Sequence, residues 1–173
     1  MKKLMSLVLS GIAIIALSGC GGSSDGGSGG GSNPTTPDEV KTSIVGTWKT
    51  ACYEDDPSKY VIEKLTFNAD MSGQYIQNTY SKSGCDAQDT TPTEDEDITF
   101  DYSVGVTVKA SDGNDAVELN LDDVASSDDF YTMVRFDANK LLLADSDDGG
   151  PHDGNSSDKR ANDFSDLDPF VRQ

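Results

Sequence analysis

The side chains that could do chemistry here are one histidine, three cysteines and a large excess of carboxylates. His152 is the only histidine in 173 residues. It lies in Gly149-Gly150-Pro151-His152-Asp153-Gly154, a turn-rich run with no strand or helix to hold it. Nucleophilic catalysis needs a base fixed beside the nucleophile, and this run offers no such fixture. Paired carboxylates serve glycoside hydrolysis, but among 31 acidic residues pairs arise by chance and none is singled out. The sequence therefore points away from an enzyme. Divalent cations are the better chemical alternative, because hard cations take oxygen ligands. Asp145, Asp147 and Asp148, followed by Asp153, Asn155 and Asp158, supply such oxygens. The spacing departs from the EF-hand pattern, with glycine at its fifth position and no closing glutamate. A solvated acidic loop is the first reading of this stretch, and a calcium-binding surface is the alternative.

Of the cysteines, Cys20 carries the most specific signal. Met1-Lys2-Lys3 is followed by an apolar run from Leu4 to Leu17 and then Leu17-Ser18-Gly19-Cys20. This resembles a bacterial lipoprotein signal peptide ending in a lipobox. A positive start, a short apolar run and small residues are the marks of an export signal. As a helix the run would span about 21 Å, short of the roughly 30 Å hydrocarbon core that a permanent span must cross. The resemblance implies cleavage of residues 1–19 and acylation of Cys20, and two or more acyl chains anchor stably. Gly21 after the cysteine favours the outer membrane over inner-membrane retention, again by resemblance.

Export has consequences for the other two cysteines. Cys52 and Cys85 remain as an even pair in an oxidising compartment, and a disulfide between them is expected. Closing so long a loop is worth roughly 3.5–4 kcal/mol in the chain-entropy account. A metal site would need further Cys or His ligands that the chain lacks. The whole chain carries 13 Lys and Arg against 31 Asp and Glu, a net charge of −18. Without Lys2 and Lys3 the mature chain stands at 11 against 31, or −20. Nucleic acid is excluded as a partner, since phosphate contacts need cations. Anionic headgroups are repelled, so the acyl group must do the anchoring.

These residues must be placed by a domain, and the sequence divides accordingly. Residues 20–43 read as the lipidated cysteine and a flexible Gly/Ser/Pro tether, with a reach of about 26 Å. Only a short helical turn from Asp38 to Thr42 interrupts it. From residue 44 to 173 the pattern has period two, as half-buried strands require. The clearest stretch is Ile98, Phe100, Tyr102, Val104, Val106 and Val108, separated by Thr99, Asp101, Ser103, Gly105 and Thr107. Gly105 marks a candidate bend or bulge. Further strands are expected at Ile44–Tyr53, at Val61–Phe67 with Glu63 interrupting the apolar face, and at Gln74–Tyr80. Val117–Asp122, Phe130–Phe136 and Leu141–Ala144 complete the set. Ser81–Asp97 and Ser146–Asp163 read as long loops, and Phe164–Val171 as a last short element. Successive strands joined by short turns predict an all-β, antiparallel up-and-down meander. Such a sheet removes its open edges by closing on itself.

The first strand carries Ile44-Val45-Gly46-Thr47-Trp48, which resembles the Gly-x-Trp signature of lipocalin-like β-barrels. The wider layout is similar to small bacterial lipocalin-like lipoproteins. Those have a cysteine soon after the tryptophan, here Cys52, and a Phe-x-x-Asp-x-x-Gly hairpin, here Phe67 to Gly73. The resemblance implies a barrel of about eight short strands with Trp48 plugging one end. It also implies a late arginine covering the indole ring; Arg135, Arg160 and Arg172 are the candidates, and Arg160 is the choice. Two non-catalytic roles follow. The favoured one is a structural or protein-interaction lipoprotein with a packed core and an acidic surface. The other is a barrel holding a small apolar ligand, since eight strands can enclose one. The expected location is the cell envelope, with the domain lipid-anchored at the outer membrane and either periplasmic or surface-exposed.

Overall fold

The computed structural model describes residues 33–86, 93–126, 128–146, 150–165 and 168–173. One helix, α1 (Pro37–Ile44), precedes nine strands: β1 (Gly46–Lys49), β2 (Tyr53–Asp56), β3 (Lys59–Phe67), β4 (Ser72–Tyr80), β5 (Thr93–Lys109), β6 (Asp115–Asp123), β7 (Phe130–Asp137), β8 (Lys140–Leu143) and β9 (Phe170–Arg172). Every pairing is antiparallel, and from β2 to β9 neighbours in sequence are neighbours in the sheet. The sheet closes because β9 bonds to both β8 and β1, and β1 in turn bonds to β3. β1 and β2 lie along the same edge of β3, opposite Lys64–Phe67 and Lys59–Val61 respectively. They act as one barrel position interrupted at Thr50–Cys52. The result is a closed eight-strand meander barrel with one extra strand and one short helix, the architecture that the alternating pattern predicts.

α1 corrects the tether boundary. The expected tether through residue 43 ends earlier, because residues 37–44 are a core helix. Pro37 stands at the first helical position, where a missing N–H costs nothing. The Glu39 carboxylate turns back to accept from the Thr35 and Thr36 amides, each at 3.1 Å. Those two bonds hold its pKa below the usual carboxylate range. Val40 and Ile44, four apart and so on one helical face, are completely buried against the barrel end. The chain is pinned there before the helix begins. Asn33 Oδ1 accepts from the Ala138 amide at 2.9 Å, and Thr107 Oγ1 donates to the Thr35 carbonyl at 3.0 Å.

This closed end gathers the 68–71, 110–114 and 137–140 turns, and the apolar core fills the barrel above it. Phe67 stands edge-on to Phe100 and Tyr102, with centroids 5.6 and 5.1 Å apart, and Trp48 is edge-on to Phe136 at 5.8 Å. Edge-to-face pairs favour the ring quadrupoles. Residues 81–86 and 124–126 lie at the opposite end, whereas residues 161–164 run down the outer wall, where the Asn162 carbonyl accepts from the Ser111 amide at 3.1 Å.

Two features of β5 differ from the expected pattern. The acidic run Glu94–Asp97, expected in a loop, belongs to the strand, and Gln77 faces Glu96 across the ladder. β4 is nine residues long, and its backbone groups need partners along their whole length. Farther along, Val104 pairs Leu119 and Thr107 pairs Val117, so Gly105 and Val106 together oppose Glu118. That is a β-bulge, and it reverses which face later residues take. Val106 is consequently 61 % exposed, while Val108 joins a second cluster on the outer wall. There Ala161 and Phe164, from the chain after β8, pack on Ala116, Met133 and Ala144.

Gly73 shows how tightly the inner wall is drawn. A Cβ there would lie 2.2 Å from the Phe100 ring and 2.7 Å from the Thr66 carbonyl oxygen. Neither a packed ring nor a ladder carbonyl can give way cheaply. Gly73→Ala is expected to destabilise the domain by about 1–3 kcal/mol, read as a lower denaturation midpoint by circular dichroism with an unchanged urea slope.

Candidate functional site

Glu63 sits on β3 between Val61 and Leu65, and period two sends all three inward. The register then aligns Glu63 with Gln77 on β4 and Glu96 on β5. Above the apolar floor the inner wall therefore carries a polar layer. The Tyr75 hydroxyl lies 2.7 Å from Glu63 Oε1 and 3.0 Å from Gln77 Oε1. Thr50 Oγ1 accepts from the Glu63 amide at 3.0 Å and so fixes the backbone at the interruption between β1 and β2. The Tyr53 hydroxyl, from β2, also bonds to the Glu63 carboxylate.

Burial dominates the electrostatics of this layer. It pushes the Glu63 carboxyl up to about 7, although the bonds from Tyr75 and Tyr53 pull the other way and Asp168 and Asp55 push with it. The Tyr53 and Tyr75 phenols are raised well above their ordinary value, first by burial and then by the Glu63 charge. The tyrosines are neutral donors throughout the physiological range, and Glu63 is the group that changes charge near neutrality. A carboxyl among phenols can hold a proton or hydrogen-bond a small polar group. His152 lies in a turn of the chain after β8. In sequence Glu63 reads only as a break in an apolar face. A carboxylate at an inward position of a strand was the signal available.

Among the predicted site residues, Cys52 and Cys85 form the expected disulfide, with Cα atoms 5.7 Å apart. It ties the 81–86 stretch to the wall beside Val61. Gly46 and Trp48 stand at the closed end. The indole N–H donates to the Ile44 carbonyl at 2.7 Å, and the side chain is 1 % exposed. The arginine assignment is corrected: Arg172 covers Trp48, its guanidinium carbon 4.4 Å from the ring centroid. Arg172 also donates to the Val45 carbonyl at 2.9 Å and to the Ser43 carbonyl. Arg160 serves a different place, buried on the outer wall. Its Nη1 donates to the Leu119 and Thr132 carbonyls at 3.0 and 2.8 Å, and its Nε stands 3.5 Å from Glu118. It fastens the chain after β8 across β6 and β7.

The acidic stretch is divided. Asp145 bridges to Asp163 through the backbone, and its Oδ1 accepts from the Ser146 amide at 2.5 Å. Asp153 accepts from the Asn155 amide at 3.1 Å and pairs with Lys159 at 3.0 Å. These bonds hold Asp153 below the usual carboxylate range. Asp147 and Asp148 lie outside the described residues, as does Cys20. Among the described residues no group of three or more His, Cys, Asp or Glu side chains stands ready for a metal ion.

The Glu63 shift makes stability depend on pH in a defined direction. Between its ordinary 4.5 and about 7 the folded state binds the proton that the unfolded state has lost. Stability therefore falls as pH rises through that window, and levels off above it. Glu63→Gln removes this slope and stabilises the protein at pH 8 by on the order of 1–3 kcal/mol. Urea titrations of wild type and variant at pH 5 and pH 8 measure it. Comparison with protein-family models, with curated proteins and with solved structures finds no match to this chain.

Proposed function

We propose that this chain is a non-enzymatic lipoprotein of the bacterial outer membrane whose lipocalin-like barrel offers its far rim to a protein partner. One observation carries the reading. The chain enters the domain at the closed end, where Asn33 and Thr35 are bonded to the 137–140 turn and to β5. A lipid on Cys20 and the tether after it would then hold the closed end toward the membrane. The long connections and the polar upper layer would point away. That far rim carries Asp55, Asp56, Asp128, Asp129 and Asp168, together with Val124, a large apolar side chain 64 % exposed. An acidic rim with an apolar contact suits a basic protein surface.

The apolar-ligand reading draws less support, because the apolar side chains of the lower barrel are spent on one another and on α1. Calcium binding loses Asp153, which is engaged by Lys159.

Photo-crosslinking residues placed singly in native cells test the orientation. Adducts are expected from the rim positions Ser83 and Val124 and not from Ala69 and Asn139 at the closed end. Adducts from the closed end alone would overturn the reading. Cys20→Ala should release the protein from the membrane fraction and abolish the rim adducts.

A further inference from the structure

The outer wall of the barrel carries two rows of like charge on opposite sides. The first is cationic, in a chain with a large surplus of acid. Lys64 on β3 lies directly opposite Lys49 on β1, Lys49 lies opposite Val171 on β9, and Val171 lies opposite Lys140 on β8. Their neighbours Leu65, Trp48, Phe170 and Leu141 are in the core, so period two turns the row outward. None of the three lysines forms an ion pair among the described residues. Lys109, Arg135, Lys159 and Arg160, by contrast, are each matched to an aspartate or glutamate. The row is bounded by Ile76 beside Lys64 and by Asp137 beside Lys140.

The second row crosses β5, β6 and the approach to β7. Asp101 lies directly opposite Asp122. Leu121 faces Phe130, which sets Asp129 beside Asp122. Phe100, Tyr102 and Leu121 are in the core, so Asp101 and Asp122 point outward, and both are exposed. Among the described residues neither has an ion pair. Like charges directly opposite across a ladder are destabilising, and each row contains such a pair. In the sheet the lysine row spans β3, β1, β9 and β8, while the carboxylate row spans β5 to β7. The rows face away from each other, so neither can neutralise the other within one barrel.

We propose that the barrel associates with a second copy of this chain, the Lys49, Lys64 and Lys140 row of one protomer seated against the Asp101, Asp122 and Asp129 row of its neighbour. Opposite charges meet, and the repulsion inside each row is relieved. Complementarity also sets the geometry, because either row is repelled by its own kind. The contact is therefore head-to-tail. Its two halves lie on opposite sides of the barrel, so it propagates as a row of barrels instead of closing as a two-fold dimer. Contact through the walls leaves the closed end and Asp55, Asp56 and Asp168 of the rim uncovered. The proposal goes beyond the rim-partner reading and does not rest on it.

Exposed charge pairs are screened by salt, which gives the first arm of the test. Sedimentation of the full-length protein in excess detergent micelles should show mass rising with concentration at about 20 mM salt, and single copies at about 0.5 M. Neutralising one row, by Lys49→Gln with Lys64→Gln or by Asp101→Asn with Asp122→Asn, should weaken association by about tenfold or more. Mixed together, the two double variants should form a dimer and nothing larger, since one native contact remains. A wild type that stays single at low salt, association that survives either neutralisation, or a mixture no larger than its components would overturn the proposal. Should a variant fail to fold, carbodiimide treatment of mixed isotope-labelled and unlabelled wild type decides. Links from Lys49 or Lys64 to Asp101 or Asp122 of another copy are expected, and their absence overturns it.

Discussion

The rest of the structure depends on what happens to the last carbonyls of α1. A helix ends with carbonyls that have no partner inside it, and here one of them is buried at the barrel floor while two lie at its edge. Ile44 gives its carbonyl to the Trp48 indole, and Ser43 and Val45 give theirs to Arg172. The guanidinium also brings a positive charge to the negative end of the helix dipole and lies over the indole face as a cation–π contact. Helix, first strand and last strand are thereby joined at one point, which is where the meander must close. Gly46 completes it. Its φ of +138° is one that side chains rarely adopt, and a Cβ would lie 3.0 Å from Arg172 Nη1. The spacing Gly-x-Trp is thus a steric and hydrogen-bonding requirement of a capped barrel end.

From that end upward the interior changes character. The floor is aromatic and aliphatic, with its rings packed edge to face. The layer at Glu63, Tyr75 and Gln77 is polar, and the wall beside it is secured by a disulfide. A domain this small has little stability to spare, and burying a carboxyl costs some of it. The cross-link between Cys52 and Cys85 offsets a penalty of that order by restricting the unfolded chain.

Much of the barrel was legible in the sequence because period two is a strong constraint. Ile98, Phe100 and Tyr102 could face the core only as a strand. The alternation misleads beyond Gly105, since one extra residue in a bulge exchanges the two faces and sends Val106 to solvent. The cysteine pairing follows from counting, Cys52 and Cys85 being the pair left once Cys20 is set aside. The arginine did not, because three candidates lay late in the chain. Parity distinguishes them afterwards: Phe170 and Arg172 share the inward face of the last strand, whereas Arg160 follows a single 3₁₀ turn at Ser157–Lys159 outside the barrel. The full length of α1 is hard to read from so short a stretch, although Thr36-Pro37-Asp38-Glu39 has the spacing of a capping box. Glu63 does not stand out in the sequence, because one carboxylate among 31 acidic residues carries little weight until the register sets it beside Tyr75 and Gln77.

Trp48 is the only tryptophan, so its emission reports on the closed end alone. The most direct test of the capped-end account is acrylamide quenching of Trp48 in Arg172→Gln, beside a urea titration of the same protein. Loss of the guanidinium should expose the indole to quencher under native conditions and lower stability by about 1–2 kcal/mol, as expected when partly exposed carbonyls lose a charged donor. Quenching and an unfolding midpoint indistinguishable from wild type would contradict the claim that Arg172 closes the barrel.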